Sequence, residues 1–455
     1  MSLFDDMDVV DSGDTVAFNT GTTYDLATGI FKPGIDGEWY LNGGLTQHIN
    51  AYIAPNSNFK STIANSFLMR ALGIYKGSEA IINDTENALD KDKNRAYHMS
   101  EELFDNINQD NVLWMRGIDY DLDTWDEFIK NYCAKKEAAQ KDYMVETPFI
   151  DPKTCKALKV WIPTFIFCDS LTELVTSGED DLLDGEKSKG IGDSKANTVY
   201  MLDGNKKTLF IRTMRRRCQK YGLVFLCTGH YDKIIQMDMY NPTPKETLFA
   251  KQDWKLKGCG SKIKFLSSIY ARMAASLLID SNKESLYADG ITPAKDIHEV
   301  DMVLERCKTS NAGEMTPYVC SQAKGLLNAV SNYHYLRLNE YYGLEGNKQR
   351  QQVAFLPDVT ISRNTVRELA SSNAKLRRAL EICAGLCYIR NNWNTASLPY
   401  DFTISPSKLF EKLTSDKNKT LVEDILNSRG YWTYGKCDIP YMSIFTIMEK
   451  AKALK

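Results

Sequence analysis

Short and almost wholly apolar segments recur between residues 35 and 320, and stretches with helical periodicity separate them. The segments are residues 49–54, 80–83, 112–115, 164–168 and 223–228. A strand that is apolar on both faces belongs to a sheet covered on both sides, and the intervening helices supply the crossovers that parallel strands need. The sequence therefore predicts an α/β fold with a mainly parallel central sheet flanked by helices.

The chain of 455 residues is long enough for roughly two to four domains. Residues 1–34 are polar, and we expect an N-terminal arm there, with a candidate polymerisation segment at residues 7–10. Residues 35–320 hold the apolar segments and are predicted to form the core. Later stretches such as residues 366–387 have apolar side chains at helical spacing, which predicts a mainly helical C-terminal region at residues 321–455.

Composition and charge exclude several classes of protein. No apolar run approaches the roughly 18 residues that a membrane-spanning helix needs, and the acidic N-terminus differs from a secretory signal, so we expect an intracellular protein. The eleven cysteines include no C-x-x-C pair, which predicts buried thiols rather than a zinc site. The net charge of −3 provides no global attraction for polyanions, so nucleic-acid binding would require local basic clusters.

Residues 54–62 follow the first apolar segment and precede a predicted helix at residues 63–72. This is the context of a phosphate-binding loop, in which backbone N–H groups and a lysine surround a triphosphate. The pattern G-x-x-x-x-G-K-[ST] is broken, because Ala54 and Phe59 occupy the two glycine positions. The alternative is an ordinary helix start with nothing bound. The candidate nucleotide-binding residues are Pro55, Asn56, Ser57, Asn58, Phe59, Lys60, Ser61 and Thr62.

Two acidic residues follow other apolar segments. Asp169 follows the segment at residues 164–168, at the position where a nucleotide hydrolase holds Mg²⁺. Glu86 follows the segment at residues 80–83, where a carboxylate can polarise water. Each has a simpler interpretation, since Asp169 could cap the next turn and Glu86 could lie in a solvated loop.

In this order the segments resemble the RecA family of ATP-dependent DNA recombinases. Residues 84–90, DTENALD, are similar to the stretch that carries the family's catalytic glutamate, and residues 42–45 are similar to its approach to the phosphate loop. Residues 192–194 resemble the end of its first DNA-binding loop. Phe59 before Lys60 and the histidine at position 230 resemble the phage UvsX branch of the family. The resemblance covers about residues 20–320, and more loosely to about 388.

The resemblance implies ATP and Mg²⁺ as cofactors and assigns roles to individual residues. Lys60 would contact the β- and γ-phosphates, and Ser61 and Asp169 would hold Mg²⁺. Glu86 would orient the attacking water, and His230 would sense the γ-phosphate. A lone histidine is more often a structural group than a sensor, although the position of His230 at a strand end favours the sensor.

Two features depart from the family pattern. The Cβ atoms of Ala54 and Phe59 occupy positions where glycine lets backbone approach phosphate, which predicts weaker ATP binding or a differently shaped loop. The acidic residues of segment 178–186 lie beside the first presumed DNA-binding loop, where they would repel phosphates unless they point outward.

The interval between His230 and Phe265 is predicted to be a long loop with a basic end. Lysines neutralise phosphates and an indole ring stacks on any base, so this composition favours single-stranded nucleic acid. The second DNA-binding loop of the family occupies this position. The candidate DNA-binding residues are Lys251, Trp254, Lys255, Lys257, Lys262 and Lys264.

The resemblance also implies contacts between subunits, because RecA-type enzymes place ATP between protomers. Phe265, together with Lys264, would couple DNA and ATP across the interface, unless Phe265 lies in the core. Lys308, and after it Arg306, would reach a neighbour's ATP, although both could be surface charges on an edge strand. The residues at 215–217 form a second basic cluster near a predicted helix end, where a structural role is favoured.

The favoured hypothesis is a DNA-dependent ATPase that forms filaments on single-stranded DNA and promotes homologous pairing and strand exchange with duplex DNA, in recombination and repair. Its expected partners are single- and double-stranded DNA, further copies of the chain, and single-strand-binding and mediator proteins. Its expected location is the cytoplasm of a bacterial cell or, for a phage protein, of the infected host. The alternatives are a hexameric replicative helicase and a nucleotide-binding scaffold that coats DNA.

The aromatic cluster of Tyr431, Trp432 and Tyr434 is expected to pack in the core.

Overall fold

The computed structural model describes residues 16–86, 89, 111–116, 120–177, 194–233, 254–256, 262–288, 295–394, 402–414, 419–435 and 437–454. The candidate polymerisation segment at residues 7–10 and the acidic run at residues 178–186 lie outside this part of the chain.

Strands and helices alternate along the first two thirds of the chain. The strands are β1 Ala17–Phe18, β2 Ile30–Pro33, β3 Trp39–Asn42, β4 Leu45–Thr46, β5 Ile49–Ala54, β6 Glu79–Asp84, β7 Val112–Arg116, β8 Met144–Ile150, β9 Ala157–Trp161, β10 Thr164–Asp169, β11 Leu223–Lys233, β12 Trp254–Leu256, β13 Ile269–Leu277, β14 Ile297–Cys307, β15 Met315–Ser321, β16 Gly325–Leu326, β17 Leu344–Gly346, β18 Gln351–Val353 and β19 Leu356–Ile361. The helices are α1 Thr23–Thr28, α2 Lys60–Ile74, α3 Leu122–Ala138, α4 Ser194–Tyr221, α5 Lys262–Leu266, α6 Asn328–Leu338, α7 Val366–Ser372, α8 Ala374–Asn392, α9 Pro406–Thr414, α10 Lys419–Leu426 and α11 Ile444–Ala453, with a short 3₁₀ turn at Gln140–Asp142.

The central sheet has the strand order β16-β15-β14-β13-β5-β11-β10-β6-β7, and β12 pairs with β11 beside it. The neighbouring strands from β13 to β7 run parallel, whereas β14, β15 and β16 extend the sheet with antiparallel pairs. The prediction of an α/β fold with a mainly parallel sheet is therefore confirmed. Each of the five apolar segments forms a strand of this sheet, and the segment at residues 49–54 coincides with β5.

Alternation of side chains along the strands divides the core between the two faces of the sheet. On β10, Phe165 and Phe167 pack on the face that carries Phe67 of α2, whereas Ile166 and Cys168 pack on the face that carries Trp125 of α3. Every residue of β5 and β10 is buried. Burial on both faces explains why these strands are almost wholly apolar and could be recognised as short apolar runs.

The C-terminal region packs on the same hydrophobic core as the sheet. The predicted boundary at residue 320 falls within β15, and β16 continues the central sheet beyond it. The ring of Trp432 is fully buried against Phe18 and Tyr75, with centroid separations of 5.8 and 4.9 Å. The expectation that this aromatic cluster packs in the core is confirmed for Trp432. The division into domains stays a prediction.

The stretch at residues 366–387 is helical as predicted, but it is divided between two helices. The chain forms α7 and α8, which Asn373 separates. Asn373 has an extended backbone, with φ −122° and ψ 98°, and its side-chain oxygen accepts a hydrogen bond of 3.0 Å from the N–H of Leu376. Asparagine is among the best residues for starting a helix in this way, so a new helix begins where the apolar spacing alone predicts continuation.

Most of the described cysteines are buried, namely Cys133, Cys168, Cys218, Cys227, Cys320, Cys383 and Cys387, which confirms the prediction of buried thiols for these positions. Within the described ranges, we find no helix with the length and apolar character needed to cross a lipid bilayer.

Candidate active site

The loop between β5 and α2 has a left-handed backbone at the position where the phosphate-loop pattern has its second glycine. Phe59 immediately precedes α2 and has a left-handed backbone, with φ 58° and ψ 15°. This conformation is disfavoured for residues with a Cβ atom, and it is the one that glycine adopts freely. Phe59 therefore keeps the local backbone conformation that a glycine would supply at this position.

Side-chain contacts hold the loop in this shape. The ring of Phe59 packs on the imidazole of His298 in β14, with a centroid separation of 4.7 Å. The side-chain oxygen of Asn58 accepts a hydrogen bond of 2.7 Å from the N–H of Ala275 in β13, and its amide donates to the carbonyl of Asn56 at 2.8 Å. The loop is thus attached to two strands of the central sheet.

Lys60 is the first residue of α2, and its side chain lies in the site. The residue is only 5% exposed. Burial lowers the pKa of the Lys60 ammonium, while the carboxylates of Glu86, Asp169 and Glu173 act in the opposite direction. The first N–H groups of α2 have no carbonyl partner within the helix, as at any helix start. A buried cation and a helix N-terminus together favour an anionic ligand.

Asp169 ends β10 next to the start of α2. Its Oδ1 atom accepts a hydrogen bond of 2.8 Å from the Ser61 hydroxyl and a second one from the hydroxyl of Thr228 in β11. Its Oδ2 atom is buried and has no hydrogen-bond partner among the described residues. Burial raises the pKa of Asp169 to about 6, against the effect of both hydroxyls. A buried carboxylate oxygen without a partner is a position where a cation would be stabilised.

Glu86 lies beyond the end of β6 and contacts His230 near the end of β11. The Nε2 atom of His230 is 2.7 Å from Oε1 of Glu86. This hydrogen bond, helped by Lys60 and opposed by burial, lowers the pKa of Glu86 to about 2. Glu86 is therefore a carboxylate at neutral pH and can orient a water molecule by accepting a hydrogen bond from it.

Thr85 fixes the position of Glu86 relative to Asp169. Its hydroxyl accepts a hydrogen bond of 2.7 Å from the N–H of Ser170 and donates one of 2.9 Å to the Ser170 carbonyl. The N–H of Thr85 also donates to the carbonyl of Asp169 at 2.7 Å. These bonds join the ends of β6 and β10 immediately after their last paired residues, Asp84 and Asp169.

The structure brings the sequence-predicted Lys60, Ser61, Glu86, Asp169 and His230 into one site at the carboxyl ends of the parallel strands. Four roles in the site were not predicted from the sequence: the attachment of the loop to β13 by Asn58, and the contacts of Thr85, Thr228 and His298. Only Thr228 had a usable signal, because it is a polar residue at the end of an apolar segment. The other three depend on which strands are neighbours.

The donor set suits Mg²⁺ only together with a phosphate ligand. No group of three or more histidine, cysteine, aspartate or glutamate side chains in the described part of the chain could hold a metal ion unaided. Mg²⁺ usually binds proteins through one or two carboxylates, with phosphate oxygens and water completing its octahedron. The unpartnered Oδ2 of Asp169 and the adjacent Ser61 hydroxyl fit that requirement.

The candidate DNA-binding interval is less loop-like than predicted. β11 continues past His230 to Lys233 and pairs with β12, and the short helix α5 follows, so the description of the whole interval as a loop is wrong. Lys262 is exposed, whereas the ammonium of Lys264 lies 3.2 Å from Glu305. Lys251 and Lys257 lie outside the described residues, as do the side chains of Trp254 and Lys255.

Two of the candidate subunit-contact residues, Phe265 and Arg306, lie near the amino end of β13, whereas the phosphate loop follows the carboxyl end of the parallel strand β5. Phe265 is 56% exposed, so its placement in the core is wrong. The guanidinium of Arg306 lies 5.8 Å from the centre of the Phe265 ring. β14 pairs with β13 and β15 and is therefore not an edge strand, although Arg306 lies beyond the last residue of β14 that pairs with β15. Burial, with the nearby charges of Arg215 and Arg306, lowers the pKa of Lys308 to about 8.

Arg217 supports the structural interpretation of the second basic cluster, because it pairs with Asp126 of α3 at 2.6 Å. α4 ends at Tyr221, directly before β11, as predicted.

No known protein family matches the chain, and no characterised protein matches it at a significant level. The fold and the site geometry therefore carry the functional argument.

Proposed function

We propose that this protein is a DNA-dependent ATPase of the RecA type, related to the phage UvsX branch, that forms filaments on single-stranded DNA and promotes homologous pairing and strand exchange. One observation carries the proposal. A lysine and a hydroxyl at the start of a helix meet two carboxylates and a histidine from three neighbouring strand ends, through the contacts of Ser61 with Asp169 and of Glu86 with His230. P-loop nucleoside triphosphatases use a lysine for the phosphates, a Ser/Thr hydroxyl and an aspartate for Mg²⁺, and a further residue that positions the attacking water.

In the proposed reaction, the first turn of α2 and the Lys60 ammonium bind the β- and γ-phosphates of ATP. Ser61 and Asp169 would hold Mg²⁺, and the ion would supply positive charge to neutralise the charge that develops on the phosphate oxygens. Glu86 orients the attacking water through its carboxylate, and His230 holds Glu86 in place through their hydrogen bond of 2.7 Å. Thr85 keeps Glu86 beside Asp169 through its paired hydrogen bonds with Ser170.

The two missing glycines are compatible with this role. Phe59 has the backbone conformation that glycine would supply, so the turn into α2 is retained. Ala54 is fully buried at the end of β5, where it pairs with His230, so its methyl group lies in the core. These observations favour a functional phosphate loop over a degenerate one.

The path from the site toward the proposed DNA contacts supports dependence on DNA. β11 carries His230 and then pairs with β12, so both ends of the intervening segment are anchored beside the site. The exposed residues Lys262 and Phe265 lie on α5, which follows β12 in the chain. A change in nucleotide state at His230 thus has a short route to the DNA-binding interval. Single-stranded DNA, duplex DNA and further copies of the chain are the proposed partners.

ATP turnover measured with and without single-stranded DNA tests the enzymatic proposal. We expect stimulation by DNA in the wild type and loss of turnover in Lys60→Ala, because the phosphate contact is removed. Lys76→Ala is the matched control, since Lys76 is an exposed lysine just beyond the end of the same helix. Negligible wild-type turnover despite ATP binding would favour a DNA-coating scaffold and contradict the proposal.

Electron microscopy with single-stranded DNA and a slowly hydrolysed ATP analogue tests the proposed assembly. A helical filament that forms in the wild type and is absent in Lys60→Ala is the expected result. A closed ring with six-fold symmetry would instead identify a helicase and overturn the recombinase proposal.

A further inference from the structure

The buried carboxylate of Glu305 on β14 contacts side chains of β11, α5 and β13, the elements at the two ends of the proposed DNA-binding interval. The side chain of Glu305 is 2% exposed. It accepts a hydrogen bond of 2.8 Å from Nε of Arg272 in β13, and its Oε2 atom lies 3.2 Å from the ammonium of Lys264 in α5. The Tyr231 hydroxyl of β11 donates to the same Oε2 atom at 3.4 Å. We call Glu305, Lys264, Arg272 and Tyr231 the Glu305 junction.

The backbone of β14 is arranged to aim Glu305 into this junction. Opposite β13, Tyr270 pairs with Arg306 and Ala271 pairs with Leu304, so Glu305 is the extra residue of a β-bulge. A bulge changes the direction of a side chain relative to the regular alternation of a strand. The hydroxyl of Tyr270 also receives a hydrogen bond of 3.1 Å from Tyr231, and the ammonium of Lys264 lies 5.8 Å from the Tyr270 ring centre.

β11 links the junction directly to the active site. His230 and Tyr231 are consecutive residues of one strand, so their side chains point to opposite faces of the sheet. His230 contacts Glu86 on one face, and Tyr231 contacts Glu305 on the other. A displacement of this strand end would therefore act on both contacts together.

The other end of the junction carries the exposed aromatic residue. Lys264 immediately precedes Phe265 on α5, and Arg306, next to Glu305, lies over the Phe265 ring at 5.8 Å. Glu305 thus fixes both the helix that presents Phe265 and the strand that presents Arg306. Removing one partner from a buried group of charges leaves the others unpaired, so the arrangement of α5 depends on Glu305.

We infer that Glu305 is a positioning residue that transmits the state of the nucleotide at His230 to α5 and its DNA- and subunit-contacting residues. The inference rests on the proposed function and adds a residue that the sequence pattern did not single out. Glu305 acts through Tyr231 and Lys264 and has no contact with the site residues Lys60, Glu86 or Asp169 among its described hydrogen bonds and ion pairs.

The test compares ATP turnover of the full chain with and without an oligonucleotide of thymidines. In Glu305→Gln we expect turnover without DNA to be retained and stimulation by DNA to fall about fivefold or more, the scale of a typical coupling between sites. Glu299→Gln is the matched control, because Glu299 is another carboxylate on β14 but pairs with His334 instead. Stimulation at the wild-type level in Glu305→Gln would overturn the inference.

Two further variants separate coupling from general damage. Tyr231→Phe removes the hydroxyl that reaches both Glu305 and Tyr270. We expect it to weaken stimulation even if Glu305→Gln does not fold, and wild-type stimulation there would overturn the inference. Lys264→Met and Glu305→Gln are also combined in a double variant. If Lys264 acts through Glu305, the double variant loses no more stimulation than either single one, whereas additive losses would contradict the junction. Absence of turnover in the wild type would overturn the proposed function and this inference with it.

Discussion

The Nε2 atom of His230 lies 2.7 Å from Oε1 of Glu86, although the strands that carry these residues are not neighbours. β10 runs between β6 and β11, and Asp169 ends it. The contact between Glu86 and His230 therefore crosses the end of β10, where the proposed magnesium ligand Asp169 lies. The three side chains come from the ends of three neighbouring strands, β6, β10 and β11. This relationship makes the proposed water-orienting group sensitive to any movement of the β11 end.

The first prediction concerns the contribution of Glu86 to stability. Its pKa is lowered to about 2 by the hydrogen bond with His230, so the ionised form stabilises the folded state above the ordinary glutamate pKa. That contribution is lost as pH falls toward 2. We expect Glu86→Gln to lower the free energy of unfolding by about 1 kcal/mol at pH 7, after allowance for solvent screening, and the difference to shrink below pH 4. Urea unfolding at pH 7 and pH 3 measures this, and an equal difference at both values would contradict it.

The second prediction concerns the attachment of the C-terminal segment to the core. Trp432 is fully buried against Phe18, Tyr75 and Phe149. Truncation of such a residue leaves a cavity, so Trp432→Ala should lower the free energy of unfolding by about 3–5 kcal/mol. The exposed Ile439 provides the control, since Ile439→Ala should have little effect. Thermal unfolding followed by circular dichroism measures both, and a Trp432→Ala protein as stable as the control would show that the segment is not part of the core.

The sequence was sufficient to locate five strands of the central sheet and the candidate acids, because both signals are local. Strands buried on two faces are mostly apolar; Asp169 ends one of them, and Glu86 lies two residues beyond the end of another. The order of strands in the sheet is not local. For this reason the contact between Glu86 and His230 could not be predicted, nor could the two hydroxyls that share Oδ1 of Asp169.

The backbone conformations of single residues such as Asn373 and Glu305 could not be predicted from the sequence either. Apolar spacing continues through Asn373, yet its side chain starts a new helix there. Glu305 occupies a bulge that depends on how β14 pairs with β13, and alternation along the strand alone does not reveal it. In each case a competing local hydrogen bond or pairing irregularity overrides the periodicity from which the sequence prediction was made.

The third prediction is that glycine at position 59 gives a more stable protein than alanine, the opposite of their usual order in a helix. Phe59 has φ 58°, where any Cβ atom is strained, and its ring contact with His298 offsets part of that strain. Phe59→Ala keeps the strain and loses the contact, whereas Phe59→Gly removes both. We expect Phe59→Gly to be more stable than Phe59→Ala by about 1 kcal/mol.

A pair of variants at Lys130, an exposed residue of the ordinary helix α3, is the control for this ranking. There the usual order holds, and Lys130→Ala should be more stable than Lys130→Gly by about 1 kcal/mol. Urea unfolding of the four variants gives both differences. The same order at both positions would contradict the left-handed backbone at Phe59.

The fourth prediction sets stability against activity at Asp169. Burial raises the pKa of this carboxyl to about 6, so its ionised form destabilises the folded protein at neutral pH. The sign follows from linkage: the folded state binds the proton more tightly, so stability is lost as pH rises from about 4 through the folded pKa. Asp169→Asn removes the charge and should raise the free energy of unfolding by about 1–2 kcal/mol at pH 7 in the presence of a chelator.

The same variant should lose ATP turnover, because an amide is a poor ligand for Mg²⁺ and Asp169 Oδ2 is the unpartnered oxygen of the site. The stability gain should vanish near pH 4, where the wild-type carboxyl is protonated in the folded state. Urea unfolding at pH 7 and pH 4, paired with turnover assays at pH 7, measures the three effects. A functional site retains a destabilising charge only where a ligand compensates it, so Mg²⁺ with ATP should stabilise the wild type more than Asp169→Asn. Equal stabilisation of the two proteins would show that Asp169 does not hold the ion.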